Sequence, residues 1–114
     1  MATSTIKNPN RIGNRLTAAA STATFWCADI STNTSLVVNT EGTMRALLVV
    51  NGSSAGLKGL YILSGTNEGA TDVKAVTAAS TLTITPGTSK FTFANGGGSG
   101  MHLLFIVYRG GLSA

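Results

Sequence analysis

Three short segments of the chain are apolar at every position: ALLVV at 46–50, LYIL at 60–63 and LLFIVY at 103–108. A β-strand turns successive side chains to opposite faces, so a strand with no polar face calls for cover on both sides. In a two-sheet sandwich built from 114 residues each sheet has one face outward, and apolar residues there need a further layer. Self-association supplies that layer. The expectation is a homo-oligomer whose contact surface includes Leu103, Phe105, Val107 and Tyr108 of the last strand. A loop or arm of the same chain folded over the sheet is the alternative.

The rest of the chain reads as strands separated by turn signals, at the spacing of an all-β sandwich or barrel. Candidate strands fall at 21–30, 35–40, 43–52, 59–65, 71–78, 81–85, 90–94 and 101–109. These eight segments predict an antiparallel, jelly-roll-like β-sandwich. Glutamine is absent and 11% of residues are charged, whereas Thr, Ser, Asn and Gly dominate the polar positions. That composition suits pleated strands and tight turns better than helical surfaces. Alternation is cleanest in TLTIT, where Leu82 and Ile84 share a face, and in KFTFA, where Phe91 and Phe93 do. The PGTS segment at 86–89 joins them as a predicted hairpin, with Pro86 fixing the turn and Gly87 free to take positive φ.

Residues 1–20 differ from this body. Lys7, Arg11 and Arg15 fall there without any acidic partner, leaving five cations against four carboxylates in the remainder. We expect a basic N-terminal arm at 1–20, extended or carrying a short helix from Asn10, followed by a sandwich domain at 21–114. The three cations are assigned to assembly. Nucleic acid is the weaker reading of the same charges, because they are few and no aromatic side chains are interleaved with them. No secretion signal is recognisable, and the six residues of LLFIVY are too few to cross a bilayer, which takes about twenty in a helix.

Catalytic chemistry has little to draw on. The carboxylates are Asp29, Glu41, Glu68 and Asp72, beside a single histidine, His102, and a single cysteine, Cys27. Glu41 and Glu68 stand beside glycine in turn-like contexts. The glycine-rich stretch 96–100 lacks the spacing and the following helix of a phosphate-binding loop, and leads into an apolar strand. We therefore expect no enzyme, cofactor or metal site. Contact with other molecules falls instead to loops at 31–35, 51–59 and 65–70, represented by Asn33, Asn51, Ser53, Lys58 and Asn67.

A polar arm, short Thr/Ser/Asn/Gly-rich strands, KGLYILSG, STLTITPGTSKFTFANGG and a closing LLFIVYRGG together resemble small phage virion proteins, above all the β-sandwich tips of tail fibres and receptor-binding proteins. The resemblance spans roughly residues 21–110. It implies a homotrimer assembled in the host cytoplasm and carried in the virion. The N-terminal segment would attach to other virion proteins and the loops would touch host-surface glycan. A capsid decoration, head-fibre or coat-type protein, with the arm laid over its neighbours, is the alternative within the same class.

Overall fold

The computed structural model describes residues 24–114 apart from Asn67. Lys7, Arg11, Arg15, the arm they belong to and its boundary at residue 20 therefore lie outside the described residues. The described chain forms seven antiparallel strands: β1 (Thr24–Ile30), β2 (Thr34–Gly52), β3 (Gly59–Gly65), β4 (Asp72–Thr77), β5 (Leu82–Gly87), β6 (Lys90–Asn95) and β7 (Met101–Ser113). One 3-10 turn, Ala55–Leu57, precedes β3. The all-β sandwich expected from the sequence is present. Two of the eight expected segments, 35–40 and 43–52, run on as the single 19-residue strand β2.

β2 serves two layers. Its first half, from Thr34 to Asn39, pairs with β6, which pairs in turn with β5. Its second half, from Ala46 onward, lies between β7 and β3, giving the order β1-β7-β2-β3-β4. The change of layer falls at Gly42, whose φ is 65°, and at register shifts between Glu41, Arg45 and Ala46. Extra residues of this kind bend a strand and increase its twist. β7 bends alongside, at Gly110 (φ 72°), where an added Cβ would lie 2.6 Å from the Thr43 carbonyl oxygen. Only glycine fits that approach.

Between the layers lies one apolar core. Phe105 of β7 sits at its centre, with its ring 4.9 Å from Trp26 of β1 and 5.4 Å from Phe93 of β6, centroid to centroid. The second contact is edge-on and crosses from one layer to the other. Leu48, Leu63, Val38 and Phe91 are also wholly buried. Leu82 and Ile84 share the inner face of β5 with Phe91 and Phe93 of β6, as the alternation predicts, through pairs such as Ile84 with Phe93.

The turn of that hairpin is displaced from its expected place. Gly87 pairs with Lys90, so Thr88 and Ser89 make the connection and Ser89 carries the positive φ, 53°. Pro86 lies within β5, opposite Phe91. It is tolerated because β5 lies at the edge of its layer, with β6 as its one strand partner among the described residues, so one side of its backbone at Pro86 needs no donor.

Period two also corrects the expected contact surface. Leu103, Phe105 and Val107 point into the core, at 1%, 0% and 4% exposure, and cannot meet another chain. The outward residues of β7 are His102, Leu104, Ile106 and the half-exposed Tyr108. Phe105→Ala should lower stability in urea unfolding by about 3–5 kcal/mol. Thr85→Ala, on the exposed side of β5, should change it by roughly 0.5 kcal/mol or less. Equal losses at the two positions would contradict the inward assignment of Phe105.

Candidate functional site

The strand registers gather most of the loops at one end of the sandwich. β1 ends at Ile30 opposite Met101, β2 ends at Gly52 opposite the same residue, and β3 starts at Gly59 opposite Val50. β6 ends at Asn95 opposite Thr34 and Leu82. Residues 31–33, 53–58, 78–81 and 96–100 therefore crown the same end. The connection from β3 to β4 leaves from the opposite end, as does the start of β1 at Thr24. The loop around Asn67, itself outside the described residues, is thus separated from the other expected contact loops and lies at the end where β1 begins at Thr24.

Two buried polar side chains organise the crown. Asn95, 1% exposed, donates from Nδ2 to the carbonyls of Ile30 (3.3 Å) and Ser99 (2.7 Å), while its Oδ1 accepts from the Gly97 amide (3.0 Å). One side chain thereby ties the β1–β2 turn to the glycine-rich connection. Tyr61, on the core face of β3, accepts at its hydroxyl from the Ala79 amide (2.6 Å), and the Ser80 amide donates to the Gly56 carbonyl (2.6 Å). The glycine-rich stretch is consequently anchored at Gly97. Asn33 (φ 55°) and Ser53 are exposed on this crown.

On the outer face of the first layer, just below the crown, lies a concavity of about 700 Å³. Its floor is apolar, from Val49, Leu60 and Leu104, and its polar rim holds Asp29, His102, Asn51 and Lys58. Asn51 and Lys58, expected in a contact loop, thus belong to this rim. Asp29 and His102 stand opposite each other on β1 and β7, and Nδ1 of the imidazole bonds an Asp29 carboxylate oxygen. Sequence reading left these two groups apart. Their meeting depends on the β1–β7 register, across 73 residues of chain. A signal was present in hindsight: taking polar His102 as outward assigns Leu104 and Ile106 to the same face.

Chemically the pair is open. Both side chains are 74% exposed, so solvent screens their attraction and the contact adds little to stability. Among the described residues the hydrogen bonds of His102 go to Asp29 alone, with no hydroxyl or thiol at the other ring nitrogen. Cys27 is exposed one pleat away on the same strand. No group of three or more His, Cys, Asp and Glu among the described residues is placed to hold a metal ion. No described helix is long and apolar enough to cross a membrane.

The architecture is that of an antiparallel β-sandwich with its loops concentrated at one pole. It is similar to part of the tailspike protein gp49 from Acinetobacter baumannii bacteriophage Fri1, a capsular polysaccharide depolymerase. The TM-score is 0.55 at 9% sequence identity, over 80% of this chain and 19% of the tailspike. At that identity the likeness is one of fold, and this chain spans under a fifth of the tailspike's length. No family model and no curated protein matches the sequence.

Asn95→Ala should strand the carbonyls of Ile30 and Ser99 and cost about 1–3 kcal/mol. Amide exchange at Gly97 should accelerate while the Leu48 amide, in the β2 ladder, stays protected. Unchanged exchange at Gly97 would show that the crown is held by other means.

Proposed function

We propose that this chain is a non-enzymatic structural protein of a phage virion, of the tail-fibre or receptor-binding type. It works as a homotrimer. Residues 1–20, with Lys7, Arg11 and Arg15, attach it to other virion proteins, and the crown at the far end contacts host-surface glycan. The observation that carries this reading is polarity: the chain enters the sandwich at Thr24, while the loops 31–33, 53–58 and 96–100 crown the other end. A protein that joins a particle to a surface needs its two contacts at opposite poles. The fold likeness to a segment of a phage tailspike supports the same class.

The non-enzymatic part is supported by the chemistry of the outer concavity, where one histidine meets one exposed carboxylate and no described hydroxyl or thiol is hydrogen-bonded to that histidine. Within the crown, contact is assigned to Asn33, Ser53 and their neighbours. The Asn67 loop is left out of the contact surface, because it belongs to the attachment end.

Deleting residues 1–18 should abolish incorporation into particles, read by immunoblotting of purified virions, while the purified protein still binds host cells. A screen against host-surface polysaccharides should give binding by the full chain without release of reducing ends. Failure to bind any host surface polysaccharide or cell, with incorporation intact, would remove the adhesion reading and favour a decoration protein.

A further inference from the structure

We infer that the outer face of the β1-β7-β2-β3-β4 layer is the surface on which a second copy of this chain packs, with the assembly axis along the strands, so that Asp29 of one copy meets Lys58 of the next. This deepens the oligomeric part of the function proposed above and rests on it. The face holds a contiguous apolar field: Leu47, Val49, Leu60, Ile62, Leu104 and Ile106, extended at one edge by Phe25. Phe25 is 67% exposed and Ile62 41%. No element of the described chain covers them. Apolar fields of this breadth on a soluble protein mark places where another surface docks.

The rows across the face identify the occupant. The registers align Asp29, His102 and Asn51 in the row nearest the crown, and Lys58, which immediately precedes Gly59 of β3, closes that row at the other side. Acid thus stands at the β1 edge and base at the β3 side, at one height. The next two rows, Cys27-Leu104-Val49-Leu60 and Phe25-Ile106-Leu47-Ile62, are apolar from β1 to β3 and end on the edge strand β4 at Thr77 and Lys74. A rotation axis parallel to the strands preserves height and brings the β1 side of one copy to the β3 side of its neighbour. Asp29 then faces Lys58 and apolar rows face apolar rows, whether the ring closes with two copies or three. An axis across the strands would reverse one copy end for end, losing that match and sending the crowns to opposite poles. Only the parallel arrangement keeps every crown at one end and every Thr24 at the other.

The test uses the full chain, with light scattering and sedimentation over a concentration series and circular dichroism to confirm folding. Wild type should be oligomeric at micromolar concentration. Asp29→Lys and Lys58→Asp should each weaken self-association by about tenfold or more, since each sets like charges against one another. The double variant should return to wild-type association, because the pair is restored with its signs exchanged. Leu104→Asp should give folded monomer. Silent single variants, or a double variant no better than either single, would overturn the Asp29–Lys58 arrangement while leaving the oligomer standing. A monomeric wild type that Leu104→Asp destabilises would mean that the chain's own first residues cover the face. That outcome overturns this inference and the oligomeric reading together, whereas failure of glycan binding alone touches neither.

Discussion

Everything in this sandwich follows from the rule that a strand cannot send consecutive side chains to one face. LLFIVY is apolar throughout, yet the pleat divides it into Leu103, Phe105 and Val107 inside and Leu104, Ile106 and Tyr108 outside. ALLVV in β2 divides in the same way, with Ala46, Leu48 and Val50 inward and Leu47 and Val49 outward. The inward set builds the core around Phe105. The outward set is what remains of an apolar run once the core is filled, and its presence on two adjacent strands makes a surface instead of scattered residues.

Much of the fold was legible because the chain punctuates its strands. Glycines bound β3 on both sides, and its limits, Gly59–Gly65, agree with the expected segment. Leu82/Ile84 and Phe91/Phe93 alternate so cleanly that their inward face follows from spacing alone. The continuity of β2 was not legible, because NTEGT reads as a turn by local preference. In the structure Gly42 and the neighbouring register shifts bend the strand without ending it. Pro86 misled for a related reason: its fixed φ fits a turn and an edge strand equally well, and edge status is a property of the assembled sheet.

The site was less legible than the fold. Asp29, Asn51, Lys58 and His102 were each visible as polar residues near strand ends, but nothing local says which share a face. Register decides that, through backbone pairs between β1, β7, β2 and β3 that span most of the chain. The six apolar residues of the last strand give no in-or-out mark of their own, so its parity hangs on the single polar residue before them, His102. Asn95 carries the same lesson inward. It reads as a loop residue ahead of glycines, and becomes a buried clamp only because Ile30 and Ser99 offer carbonyls to it.

The second layer supplies an internal control for the meaning of the outer apolar face. Its own outward residues on β2, β6 and β5 include Ser35, Asn39, Thr83, Thr85, Lys90 and Thr92, with Val37 the one large apolar side chain among them. The two layers share one core, one composition and one long strand, yet one turns mainly threonine and other polar groups to water and the other turns leucine, isoleucine, valine and phenylalanine. General hydrophobicity of the sequence would have marked both faces alike. The asymmetry lies along β2 itself: its first half points Ser35, Val37 and Asn39 outward and its second half Leu47 and Val49. Thr and Val are close in shape and equally suited to the pleat, so strand formation does not require the choice. What distinguishes the halves is the face each presents, polar for the first and apolar for the second, which is the pattern the packing inferred above requires.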